Sequence, residues 1–356
     1  MKNELKKIIP ISLITKCRVL FEKTDHYIIY LFSKTRLSSS IYYLLFNHNF
    51  KREQQSVLKG RLKYYQSLKH IEESNVLLRR NIHRLEKGLI MEPRRDVFGK
   101  AFIEETVDAF SLTIEQNKFK GYEGVWFNDV LSKYFNVVGS DTDIDKARKK
   151  YNEVCRDYNL VSKGESIPYK YQEIEKSDIT FNQLEALFKQ RRSVRWYQDK
   201  PVDISLINKA VNIATQAPSA CNRQPFQFHT LVDKEKVKMV ADCAMGTAGF
   251  SHNLQMIIAV VGDLSAYPSE RDRHVIYIDG SLVTMQLMLA LETLGLNSCA
   301  INWPDIESRE KKLDKLLGLG LEERTVMLMA VGYASNVGGI PYSQKKDSSQ
   351  LVKVMK

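Results

Sequence analysis

The most chemically loaded stretch of the chain is Arg191-Arg192-Ser193-Val194-Arg195-Trp196-Tyr197. Three guanidiniums and a hydroxyl fall within five residues. A guanidinium fork matches phosphate oxygens two at a time, and serine adds a short hydroxyl donor. Such a cluster repels itself unless an anion or an acidic partner neutralises it. Taken alone, it fits an anion cradle or a basic surface turn equally well. A second stretch, Ala217-Pro218-Ser219-Ala220-Cys221-Asn222-Arg223-Gln224-Pro225, places amides and a hydroxyl in a turn with exposed backbone. A third, Gly295-Leu296-Asn297-Ser298-Cys299-Ala300-Ile301-Asn302-Trp303-Pro304, reads as a helix stop, a strand and an abrupt turn. Cys221 and His229 could on paper form a nucleophile and its base.

The elements that must position these stretches are legible in residues 180–356. Thr180 and Gln183 form a capping box for a helix whose expected buried stripe is Phe181, Leu184, Leu187 and Phe188. Asp203 caps a second helix expected to turn Ile204, Ile207, Val211 and Ala214 inward. Residues 225–232 read as a strand, and Met256 to Val261 as a strand buried on both faces. The segment Tyr277 to Leu294 predicts a long helix too apolar for a surface, so it should cross a core or an interface. Gly295 should end it. Further strands are expected at 298–302 and 326–332. This is an α+β pattern, with helices packed on a mixed sheet.

Residues 1–161 form a separate, mostly helical expectation, with Leu58, Leu62, Tyr65 and Leu68 as an apolar stripe. His83-Arg84-Leu85-Glu86-Lys87-Gly88-Leu89 should be a helix end stopped at Gly88, with Pro93 preventing continuation. Phe98-Gly99 should precede a helix from Lys100 to about Gln116. His83 and Glu86 lie one turn apart, but without a third ligand they read as a polar pair. Residues 162–179, with Gly164, Ser166, Pro168 and interleaved charges, form a linker. The expected division is therefore 1–161, linker 162–179 and 180–356.

In this order, the three stretches, with Val331-Gly332-Tyr333 and a basic tail, resemble the FMN-dependent nitroreductase family over about residues 180–350. The resemblance implies a nitroreductase-like fold and a homodimer with FMN at the subunit interface. It implies a ping-pong cycle, in which NADH or NADPH passes hydride to flavin N5 and a small organic acceptor then collects it. Nitroaromatics, quinones, enones and biosynthetic intermediates are the acceptor classes. Arg191, Arg192, Ser193 and Arg195 match the element holding the FMN phosphate and ribityl chain, and Arg195 would stabilise the N1/O2 edge of the reduced ring. Pro218, Ser219, Ala220 and Asn222 match a loop that reaches the partner's flavin. Ala300, Ile301, Asn302 and Trp303 match a turn covering one ring edge. Asn253 is the candidate for an amide at the ring, and Lys345 or Lys346 for a cation at the phosphate. No side chain is required as acid, base or nucleophile. The segment from Asp263 to His274 is a short lid, so the N-terminal region is a candidate cover for the flavin.

Charge separates the two halves. Residues 1–100 hold 21 of the 53 Lys and Arg but 9 of the 42 Asp and Glu; the other 256 residues hold 32 and 33. A basic region with aromatic pairs such as Tyr42-Tyr43 and Tyr64-Tyr65 fits docking to an anionic membrane surface or to a partner protein. It carries no zinc-finger, RRM or helix-turn-helix signature, so nucleic acid is not the expected partner. The alternative overall reading is a flavin-binding protein with little turnover, docked through this region. The five cysteines contain no C-x-x-C, which argues against a disulfide scaffold or zinc ribbon. No apolar run approaches the roughly 18 residues of a spanning helix; the nearest are Ile8 to Ile14 (broken by Pro10 and Ser12), Tyr27 to Phe32 and Ile41 to Phe46. The stretch after Lys6 and Lys7 is short, and no small-residue cleavage pattern follows it, so a signal peptide is not expected. The expected location is cytoplasmic, with membrane association through the basic region.

Overall fold

The computed structural model describes residues 24–69, 75–118 and 122–355. The run Ile8 to Ile14 and Cys17 lie outside the described residues. The chain groups into two compact units, one of residues 1–55 with 305–307, the other of residues 56–304 with 308–356.

In the first unit a helix over 24–32 is followed by α1 (Arg36–Leu45). Thr35 starts α1: its Oγ1 accepts from the Ser38 amide, while Ser38 Oγ accepts from the Thr35 amide. Phe32 packs on Tyr42 and Phe46. No residue of α1 is buried.

The second unit begins within α2 (Lys51–Ser67). The expected stripe of this helix is corrected, because Leu58, Leu62, Tyr65 and Leu68 are exposed. The buried side is Ser56, Val57, Gly60 and Tyr64. Gly60 sets this choice: a Cβ there would stand 2.7 Å from Leu264, so only a glycine lets the helix approach so closely. Helices α3 (Val76–Leu89), α4 (Lys100–Glu115), α5 (Glu123–Val137) and α6 (Thr142–Asp157) then enclose a core that includes Leu78, Ile82, Val107, Phe110, Leu131 and Tyr134. Gly88 does not stop α3, which runs on to Leu89. It makes room for the Phe98 ring, whose carbons would lie 2.3 Å from an added Cβ.

Irregular chain leads from α6 to residue 180 and is held by one carboxylate. Asp129, buried in α5, accepts from Ser162 Oγ and from the amides of Lys163, Glu165 and Ser166. Burial alone would push its carboxyl up; the hydrogen bonds outweigh that and hold it below the ordinary range.

The C-terminal half follows the α+β expectation. Its helices are α7 (Phe181–Gln190), α8 (Ile204–Ala214), α9 (Lys234–Ala241), α10 (Val275–Thr293), α11 (Glu307–Leu317) and α12 (Ser348–Leu351). Strands β1 (Phe226–Leu231), β2 (Met256–Asp263), β3 (Asn297–Ile301) and β4 (Glu323–Gly332) pair antiparallel in the order β1-β2-β4-β3. A parallel bridge joins Ser193 to Ser298. Along β2 the side chains alternate between two cores. Ile257, Ala259 and Val261 join one with Trp303; Met256 and Ile258 join the other with Leu287 of α10. That is why β2 reads as one continuous apolar run.

Two expectations about helix faces are corrected. The capping box of Thr180 and Gln183 forms, yet Phe181, Leu184 and Phe188 are exposed and Leu187 is half-buried. Asp203 caps α8 as expected, but Ile204 points outward. Helix α10 buries nine residues in the core while Ile278, Leu282 and Met285 stand exposed along its other side. By length and composition the segment Glu270–Thr293 is apolar enough to cross a bilayer, and in the fold it is the apolar helix expected to cross the core, with nine residues buried there.

Candidate functional site

The arginine-rich turn leaves the end of α7 and is pinned from three sides. The Val194 amide donates to the Ser298 carbonyl at 3.1 Å, tying the turn to β3. Buried Tyr197 donates its hydroxyl to the Val194 carbonyl at 2.6 Å, and its ring lies over Gly332, where a Cβ would be 2.7 Å away. Burial pushes the Tyr197 phenol well up, so it stays a neutral donor. Asn253 completes the clamp: its Oδ1 accepts from the Tyr197 amide at 2.8 Å, and its Nδ2 donates to the Arg195 carbonyl at 2.5 Å.

With Val194 held in the core, the flanking side chains turn outward together. Arg191, Arg192, Ser193 and Arg195 line one cleft with Pro341 and Lys345. Lys346 does not line it, and no lining residue is acidic. Glu292, buried on α10 and bonded by Gln190 and Asn297, is an acid that Arg191 acts on. Its burial raises its pKa, and Arg191 opposes that rise. Four cations and the hydroxyls of Ser193 and Ser343 around a cleft form a donor set for a phosphate-sized anion.

The loop of Pro218 to Gln224 is a separate construction and does not line that cleft. Its anchor is Asp279, buried near the start of α10. Asp279 Oδ2 accepts from Ser219 Oγ at 2.7 Å and from the Ala220 amide at 3.0 Å. Ser219 Oγ in turn accepts from the Gln224 amide at 2.8 Å. This lets Cys221, Asn222 and Gln224 keep positive φ angles of 54°, 51° and 50°. Such angles cost non-glycine residues on the order of 1 kcal/mol each. From the other side α3 packs on residues 220–222, and Arg79 Nε donates to the Asn222 carbonyl at 3.0 Å. Pro218 is exposed; Ser219, Ala220 and Asn222 are half-buried. A larger cavity of about 510 Å³ lies beside this loop, with Lys63, Arg223, Asp263 and Glu322 in its wall. Its mixed charges offer no comparable anion cradle.

The expected turn of 300–303 is corrected in part: Ala300 and Ile301 are the last residues of β3, and only Asn302 and Trp303 lie beyond it; Ala300 and Asn302 are exposed, whereas Ile301 and Trp303 are buried in the core shared with Val194 and Tyr197. Cys221 and His229 share no hydrogen bond. His83 pairs with Glu86, whose other oxygen accepts from Trp126 Nε1. No group of three metal-ligating side chains is found among the described residues. Sequence reading missed Asp279 and the clamp role of Asn253. The signal for Asp279 was an isolated carboxylate inside an apolar helix.

Residues 188–249 and 239–333 match the nitroreductase family profile. An Archaeoglobus fulgidus protein, named as an NADH dehydrogenase/NAD(P)H nitroreductase, is 32% identical over 145 residues, covering 40% of this chain and 80% of that one. A Bacillus subtilis protein named as the NAD(P)H nitroreductase YdgI is 27% identical over 202 residues, covering 46% of this chain and 94% of that one. Among solved structures, an FMN-dependent nitroreductase from Clostridium difficile aligns with 48% of this chain and 98% of its own, at 23% identity and a TM-score of 0.41. From residue 188 to residue 333 the match spans the arginine turn, the Asp279-anchored loop and the whole sheet, and the chain belongs to the nitroreductase family.

Proposed function

We propose that the protein is an FMN-dependent oxidoreductase. It takes hydride from NADH or NADPH and passes it to a small organic acceptor in a ping-pong cycle, working as a homodimer. The observation that carries this reading is the cleft lined by Arg191, Arg192, Ser193, Arg195 and Lys345 with no acid in its wall. These side chains suit the phosphate of FMN, and Arg195 suits the charge that collects on a reduced ring. Bound FMN would supply the two-electron chemistry. The chain's own residues bind and orient: Asn253 and Tyr197 fix the turn, and Asp279 fixes the loop. Ala300 and Ile301 end the strand that bridges Ser193, and Asn302 and Trp303 follow it, which supports a turn along one ring edge. The exposed apolar residues of α7 and α10 support a two-fold contact between copies, which would bring the loop of one subunit to the cleft of the other. The purified protein, incubated with FMN and desalted, should be yellow and should bleach within seconds of adding NADH or NADPH without air. A yellow protein that does not bleach would reject turnover, and a colourless one would reject the cofactor.

A second reading concerns location. Tyr30, Leu37, Leu44 and Phe46 are each more than half exposed, and α1 carries no acid in its first turn. Apolar and aromatic side chains on a basic segment suit the surface of an anionic membrane. The full chain should sediment with phosphatidylserine-containing vesicles and not with pure phosphatidylcholine. Equal recovery with both would reject a charge-dependent surface.

A further inference from the structure

Helix α3 lies outside the matched residues 188–333, yet it packs on the turn at residues 220–222. A buried arginine makes the polar part of that contact. Arg79 Nε donates to the Asn222 carbonyl at 3.0 Å, and its Nη1 donates to Glu123 at the start of α5. Its guanidinium carbon lies 5.3 Å from the centre of the Trp126 ring, and Trp126 Nε1 donates to Glu86 Oε1 at 2.8 Å. Burying a guanidinium is costly unless its charge is paired and its N–H groups are used. Glu123 meets the charge, and another edge of the fork is spent on a loop carbonyl. Leu78, Ile82 and Leu85 of the same helix supply the apolar core of α3 to α6. Where Arg79 touches the loop matters as well. Asn222 lies in the stretch in which Cys221, Asn222 and Gln224 all hold positive φ. Its Oδ1 accepts from Gln224 Nε2 at 2.8 Å and its amide donates to the Ser219 carbonyl at 2.9 Å, bonds that stay within the loop. From outside, Asp279 holds the start of the loop at Ser219 and Ala220, and Arg79 holds its middle. Left-handed non-glycine residues persist where their surroundings over-determine them.

We propose that Arg79 is a positioning residue for the flavin site: its guanidinium braces the Ser219–Gln224 loop in the shape that completes that site. This inference rests on the function proposed above. It gives α3, an element beyond the part matched to the relatives, a direct hold on a loop inside that part. Arginine suits the task and lysine does not. The planar fork serves Glu123 and the Asn222 carbonyl at once and at fixed angles, whereas a single ammonium answers the carboxylate and leaves the carbonyl unmet.

The test compares the full chain as parent, R79K and I82V. Ile82 belongs to the apolar core of α3 to α6, so I82V loosens that core and leaves Arg79 in place. The loop is read through Cys221, half-buried within it, by its rate of alkylation with iodoacetamide before any FMN is added, followed on its own peptide by mass spectrometry. R79K should speed this reaction about tenfold, the effect of losing one charge-assisted hydrogen bond. I82V should lower the Tm and leave the rate within about twofold of the parent. The FMN dissociation constant, from fluorescence titration, should likewise rise about tenfold in R79K and stay within about twofold in I82V. A parental alkylation rate in R79K would overturn the proposal. So would an equal acceleration in I82V, which would reduce Arg79 to a share of general stability. Faster alkylation in R79K with unchanged FMN binding would overturn it too, because the brace would then have no consequence for the site. A parent that binds no FMN would reject the function proposed above, and the alkylation rates alone would then decide whether Arg79 braces the loop.

Discussion

Asp279 on α10 accepts from both Ser219 Oγ and the Ala220 amide, at 2.7 and 3.0 Å, and so one buried carboxylate fixes a loop of three left-handed residues. Removing it leaves those donors and the strained backbone without an anchor. Asp279→Ala should cost about 2–4 kcal/mol of stability, the range for losing charge-assisted hydrogen bonds at a buried site. It should also weaken FMN retention. Denaturant unfolding and the flavin-to-protein absorbance ratio check both. Full retention of flavin would separate the loop from the cofactor.

Asn253 holds Arg195 and Tyr197 through their backbones, so its effect on the cleft is one of positioning. Asn253→Asp keeps an acceptor for the Tyr197 amide but loses the donor to the Arg195 carbonyl. We expect FMN to dissociate about tenfold more readily, as one misplaced charge-assisted contact implies. Asn253→Ala should be worse, and titration of apoprotein with FMN followed by flavin fluorescence measures the difference.

Lys345 lines the arginine cleft and Lys346 does not. Lys345→Ala should raise the FMN dissociation constant by about tenfold and Lys346→Ala by less than about twofold, because the Coulomb energy of exposed charges is screened within about 10 Å at 0.1 M salt. Arg195→Ala should keep some flavin but lower its reduction potential and turnover, which anaerobic titration against a reference dye reads directly.

The exposed Ile278, Leu282 and Met285 on α10 predict a self-association surface. Leu282→Arg would place a charge in the middle of it. The variant should elute as a monomer in size-exclusion chromatography with light scattering and should lose flavin with it. A flavin-loaded monomer would show that one chain completes the site.

Asp129 gathers the chain that joins the two halves. Its folded pKa is depressed, so its contribution is fully present above the unfolded carboxylate value near 3.9 and is lost as pH falls through the folded value. Asp129→Asn should destabilise the protein at pH 7 by about 1.5–3 kcal/mol, and the gap should close on acidification below pH 4. Thermal melts of both proteins across pH 3–7 test this. A gap independent of pH would point to shape rather than charge.

Local chemistry made much of this protein readable from residue order. The capping box of Thr180 and Gln183, the cap at Asp203, the glycine end of α10 and the unbroken apolar strand β2 all depend on side chains within a few residues of one another. The arginine turn was legible for the same reason, since its charge density is a property of five consecutive residues. Which face of a helix turns inward was not. The outward stripes of α2 and α7 satisfy helical periodicity as well as the buried ones do. The choice for α2 was made by Gly60 meeting Leu264, about two hundred residues away in sequence. Only the tertiary structure set Asp279 under Ser219, Asn253 behind Arg195 and Arg79 of α3 against the Asn222 carbonyl. Each joins residues distant in sequence, and their spacing there carries no record of where packing makes them meet.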